Sequence, residues 1–129
     1  MLYKSPPVGH ELSCVMVGLD PKVLDNLSRL ENLLTSALTK QGFNIKDIAT
    51  QKFDPQGCYI LIGLSESHAS IHTYPEYGSM YFGIYSCRNN RDGWAVYEHL
   101  REELNPSGIS SFSEKEVVVD QNHSALSSS

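Results

Sequence analysis

The sequence predicts a single α+β domain of two layers, a mostly antiparallel sheet with helices packed on one face. Three observations carry that expectation. Apolar residues recur at helical spacing in two stretches, from Val23 to Leu38 and from Trp94 to Leu104. Elsewhere they gather in short runs of β-branched and aromatic residues, separated by turn residues. The order along the chain is strand, helix, several strands, helix, strand. No internal repeat or second boundary interrupts it, so residues 1–129 read as one domain.

Met1 to Pro7 reads as a flexible lead-in, with Pro6-Pro7 favouring extended backbone. From Val8 to Leu19 the chain alternates as a strand, with Leu12, Cys14 and Met16 on one face and Ser13, Val15 and Val17 on the other. Asp20-Pro21 is an N-cap followed by proline at the first helical position. One apolar stripe then runs through Val23, Leu24, Leu27, Leu30, Leu33, Leu34, Ala37 and Leu38, and Gly42 stops it. Residues 44–53 offer a weak strand, and Asp54-Pro55-Gln56-Gly57 a strong turn. Cys58 to Leu64 and Ser70 to Tyr74 are neighbouring strands. Pro75 to Gly78 turns the chain into the run from Met80 to Cys87. Asn89 to Gly93 is a loop with Asp92 as N-cap of a second helix, which Asn105-Pro106 closes. Val117 to Val119 is a last strand, and residues 120–129 an unstructured tail.

The composition is that of an ordinary soluble globular chain, 40% hydrophobic and 19% charged. At 129 residues it can build one core. A net charge of −5 disfavours nucleic acid, whose phosphates need a basic surface, and suits a cationic small ligand better. No apolar run is long enough to span a membrane, and the first residues lack the core of a signal peptide. Cys14, Cys58 and Cys87 are odd in number and lack metal-type spacing, so free thiols in a reducing cytoplasm are expected.

The stretch Leu64 to Gly78 carries the chemistry. It sets hydroxyls, carboxylates and two imidazoles between apolar strands, where unpartnered polar groups are costly. A metal site is one reading of His68 and His72, four residues apart. Ile71, Thr73 and Tyr74 favour a strand, however, and four strand residues span about 13 Å, too far for one ion. Serine hydrolysis is a second reading, yet Ser67 lacks the flanking glycines of a nucleophile elbow. A third is self-processing, in which a serine Oγ attacks the preceding carbonyl.

Ser65-Glu66-Ser67-His68, Ile71-His72-Thr73, Pro75-Glu76-Tyr77-Gly78 and Cys87 closely resemble the small prokaryotic S-adenosylmethionine decarboxylase proenzymes. The likeness extends more loosely from about Gly9 to Leu104. It implies autocatalytic cleavage between Glu66 and Ser67 into chains 1–66 and 67–129, with Ser67 becoming a pyruvoyl cofactor. That ketone takes the substrate amine as a Schiff base and accepts the electrons left when CO₂ departs. The resemblance assigns His72 to processing, Cys87 to proton donation in decarboxylation, and Phe53, Tyr74 and Glu76 to substrate binding. It requires no metal. It also implies a homodimer with composite sites, which would bury the sheet face that helices leave bare, and a role in spermidine synthesis.

Several positions depart from the family's pattern. Gly9-His10-Glu11 replaces Gly-Arg-His, Tyr59 replaces a serine that helps processing, Tyr74 replaces a tryptophan, and Gly83 replaces an aspartate. Two alternatives follow. One is a homologue whose altered pocket decarboxylates L-ornithine or L-arginine. The other is a non-catalytic regulatory partner of an active homologue.

Overall fold

In a computed structural model, residues 6–120 are described, and a six-stranded sheet forms their framework. The strands are β1 (Val8–Val17), β2 (Ile45–Lys52), β3 (Cys58–Leu64), β4 (His68–Tyr74), β5 (Ser79–Ser86) and β6 (Gly108–Val118). Their order is β2-β3-β4-β5-β1-β6, and every neighbouring pair is antiparallel. The helices are α1 (Pro21–Leu24), α2 (Leu27–Lys40) and α3 (Asn90–Leu104). Period-two alternation puts Leu12, Cys14, Met16, Ile60, Ile62, Ile71, Met80, Phe82 and Ile84 on one sheet face. Leu30, Leu34 and Leu38 of α2 and Val96, Tyr97 and Leu100 of α3 cover that face. Each large apolar side chain fully buried there contributes roughly 1.5–3 kcal/mol of transfer free energy.

The long helix expected after Asp20 is two helices. Asp20 caps α1 by accepting from the Lys22 N–H at 2.9 Å. The chain then breaks at Asp25-Asn26, because Asn26 caps α2 through the Arg29 N–H, 3.1 Å away. Asp25 is held elsewhere: its carboxylate accepts from the Gly57 N–H at 2.9 Å and pairs with Lys52. The helical stripe survives the break because both helices face the same sheet.

The second helix starts earlier than expected. Asn89, not Asp92, is the N-cap, accepting from the Arg91 and Asp92 N–H groups at 2.9 and 3.0 Å. Asp92 lies in the first turn and pairs with Arg88. Asn105 ends the helix in the left-handed conformation at φ 49°. β4 begins at His68 rather than Ser70, and β6 is far longer than Val117 to Val119, since it pairs along β1. Met1 to Ser5 and residues 121–129, expected as lead-in and tail, lie outside the described residues.

Among the described residues, the opposite sheet face carries no helix. Tyr59 and Leu61 of β3, His68, Ser70 and His72 of β4, and Tyr81 and Tyr85 of β5 project from it by alternation. Leu61 remains 48% exposed and Tyr81 37%.

Candidate active site

The β3–β4 connection is a tight hairpin. The Leu64 N–H donates to the Ser67 carbonyl at 2.8 Å, closing a turn with Ser65 and Glu66 at its tip. Glu66 is exposed, whereas Ser67 is tucked back to 8% exposure. The end of β5 comes alongside, and the Cys87 N–H donates to Ser67 Oγ at 3.1 Å. The fold therefore brings together the hydroxyl, the peptide bond before it and the backbone of half-buried Cys87.

His68 and Tyr85 adjoin this group on the open face. They are register partners, and their rings stack at 5.5 Å with an interplanar angle of 22°. Gly9 makes room for Tyr85: a Cβ at position 9 would overlap its hydroxyl. The Tyr85 side chain is also a hydrogen-bonding neighbour of Cys87. Its pKa is raised above the usual tyrosine value by desolvation first, then by that hydrogen bond and the nearby charges of Cys87 and Glu11.

A second cluster occupies the other end of β4. His72 stacks on Tyr74 at 4.6 Å and 10°, and Phe53 approaches His72 at 5.4 Å and Tyr59 at 5.7 Å. Phe53 is positioned by its N–H, which donates to the Gly57 carbonyl at 2.8 Å across the 54–57 turn. Glu76 is exposed in the 3-10 turn Pro75–Tyr77 that follows β4. In one chain, then, Ser67, Glu66 and Cys87 are together, and Phe53, His72 and Tyr74 are together. Most of β4 separates the two groups, about 13 Å from His68 to His72. Among the described residues, no three of His, Cys, Asp and Glu converge as metal ligands.

Between the clusters lie shallow cavities on the open face. One of about 240 Å³ is lined by Tyr59, Leu61, Ser70, His72 and Tyr81. Another of about 600 Å³ runs over Asp47, Ala49, Leu61, Gly63 and His68. The Gly83 departure also has a structural counterpart: a Cβ there would meet the Tyr81 hydroxyl, so Tyr81 lies over the space an aspartate would take. Tyr85 and Arg88 escaped the reading of the sequence. Their importance comes from register and long-range contacts, which no local pattern announces.

Comparison with known proteins gives the family. The family model described as S-adenosylmethionine decarboxylase matches residues 10–115. A Caldicellulosiruptor saccharolyticus protein named S-adenosylmethionine decarboxylase proenzyme is 29% identical over 114 residues, covering 88% of this chain and 92% of its own. A Clostridium tetani protein of the same name is 27% identical, covering 88% and 90%. The crystal structure of the adenosylmethionine decarboxylase from Aquifex aeolicus shares the fold, with a TM-score of 0.80 at 23% identity over 95% of this chain and all of its own. With most of its length inside the match, the chain belongs to the S-adenosylmethionine decarboxylase family of enzymes.

Proposed function

We propose that the chain is a proenzyme that cuts itself between Glu66 and Ser67 and then decarboxylates S-adenosylmethionine, supplying the aminopropyl donor for spermidine. The observation that carries this reading is the hydrogen bond from the Cys87 N–H to Ser67 Oγ in a hairpin whose scissile peptide is at the tip. It holds the serine oxygen in place in a mostly dry setting, as an attack on the preceding carbonyl requires.

In that step Oγ bonds to the Glu66 carbonyl carbon, the Glu66–Ser67 C–N bond breaks, and a proton goes to the freed nitrogen. Loss of the Ser67 Cα proton then breaks the Cβ–Oγ bond. This releases a Glu66 carboxylate and leaves a dehydroalanine. One water replaces the nitrogen, ammonia leaves, and residue 67 carries a ketone. Position 67 suits that group, because residue 67 is itself buried and the Cys87 backbone N–H reaches its oxygen. The ketone supplies an electron sink for the carbon that loses CO₂. Cys87 returns the proton to that carbon. Phe53 and Tyr74 offer faces to an adenine, and Glu76 offers an acceptor to ribose hydroxyls.

His72, Phe53 and Tyr74 lie too far from Ser67 to serve it within one chain. Two chains packed through their open faces would bring the end of β4 from one toward the hairpin of the other. The bare aromatic face supports such a homodimer. Denaturing mass spectrometry tests the cleavage: two chains, with the 67–129 piece lacking its α-amine and trapped by borohydride. One intact 14.4 kDa chain overturns the proposal and leaves the regulatory-partner reading. Tyr81 lying over Gly83 favours one second reading, a pocket reshaped for L-ornithine or L-arginine. CO₂ release assayed with each of the three substrates separates the two.

A further inference from the structure

A cavity of about 210 Å³ lies between the hairpin turn and the segment joining α2 to β2. Phe43 and Asn44 line one side, Ser65, Glu66 and Ser67 the other, and among the described residues Arg88 is the one cation lining it. The guanidinium is fixed from three directions. Its Nε pairs with Asp92 Oδ2 at 2.9 Å, its Nη2 donates to the Gln41 carbonyl at 2.9 Å, and its Cζ lies over the Phe43 ring, 4.4 Å from the centroid. Neither polar partner is Glu66. Of these contacts the one to the Gln41 carbonyl is a hydrogen bond, and Asp92 Oδ2 accepts none, so the fork retains N–H donors to give.

We propose that Arg88 forms a carboxylate site whose occupant is the α-carboxylate of Glu66, created when the chain is cut before Ser67. This rests on the self-cleavage proposed above. Before the cut, the Glu66 carbonyl is a neutral amide. Afterwards the same carbon carries a full negative charge, on a residue that lines the cavity together with Arg88. A planar guanidinium matches a carboxylate in bidentate geometry, and one already immobilised loses little freedom on binding. Asp92 and the Glu66 side chain are the other carboxylates near the fork, and Asp92 occupies its Nε edge. Docking there would stabilise the carboxylate as the Cβ–Oγ bond breaks. It would also draw the new chain end away from the ketone and tie residues 1–66 to 67–129.

Melting temperatures of four proteins test the site: wild type, Arg88→Met, Ser67→Ala and the double variant. Loss of the Asp92 pair and the Phe43 contact affects cut and uncut proteins alike. The carboxylate contact exists only in the cut ones. Arg88→Met should therefore lower the melting temperature by about 5 °C more in the cut background than in Ser67→Ala. Equal losses overturn the site while leaving self-cleavage intact. If wild type is a single chain, the cleavage reading itself fails and the site goes with it. Should Arg88→Met prevent cutting, native wild type treated with carboxypeptidase decides. A docked end keeps Glu66 on the 1–66 chain, whereas rapid removal of Glu66 overturns the proposal.

Discussion

Ser67 and Cys87 are twenty residues apart in sequence and one hydrogen bond apart in space. The roles proposed for them separate on mutation. Ser67→Ala removes the oxygen proposed to attack, and denaturing gels should show one uncut chain. Cys87→Ala keeps the backbone N–H that holds Oγ, so cutting should persist while turnover falls about a hundredfold or more, the usual scale for a lost general acid. The three thiols also differ in reactivity. Burial pushes the Cys14 pKa up to about 11 against the opposing charge of Arg101, and burial raises that of Cys58. Both are almost fully enclosed, whereas Cys87 is half-buried. Ellman's reagent at pH 8 should therefore label one thiol rapidly in the native protein and none in Cys87→Ser. Rapid labelling of two would contradict this assignment.

Among the elements, the junction of α1 and α2 is the most specific. Asn26 satisfies an orphan N–H at the start of α2, so Asn26→Ala should cost about 1 kcal/mol in urea unfolding. Asp25 ties the same junction to the Gly57 turn. Hydrogen bonding to Lys52, then to the Gly57 N–H, lowers its pKa below the usual carboxylate value. The charged form is thus favoured in the folded state. Its stabilising contribution is present above the unfolded-state pKa of about 4 and is lost as pH falls through the lower folded value. Asp25→Asn should narrow the stability gap between wild type and variant as the solution is acidified below that range. A gap that stays constant down to pH 2 would remove Asp25 from the acid response.

At the scale of the whole molecule, the bare sheet face and the divided site make the same demand. If Ser67 of one chain works with His72 of another, co-expressed Ser67→Ala and His72→Ala chains should complement. The His72→Ala chain, which keeps its serine, should be cut in the mixture and remain uncut alone. Leu61→Glu, placed in the middle of that face, should shift sedimentation toward monomer and reduce cutting together.

Much of this was legible from the amino acids alone. Alternation from Leu12 to Met16 and the run Cys58 to Leu64 mark strands, because burying one sheet face imposes a period of two on any sequence. The motif around Ser67 is a contiguous string, so the likeness to the family is visible without a fold. The break at Asp25-Asn26 was hidden, since a capping pair inside an apolar stripe leaves the stripe unbroken. Tyr85 over Gly9, Tyr81 over Gly83, and Arg88 between Phe43, Gln41 and Asp92 were decided by the tertiary structure alone. Local spacing determines which residues alternate and which coil. The pairing of β1 with β5, and of the hairpin with the end of β5, is set by packing across the whole sheet, and only that packing shows which side chains stand beside the serine and which stand at the far end of its strand.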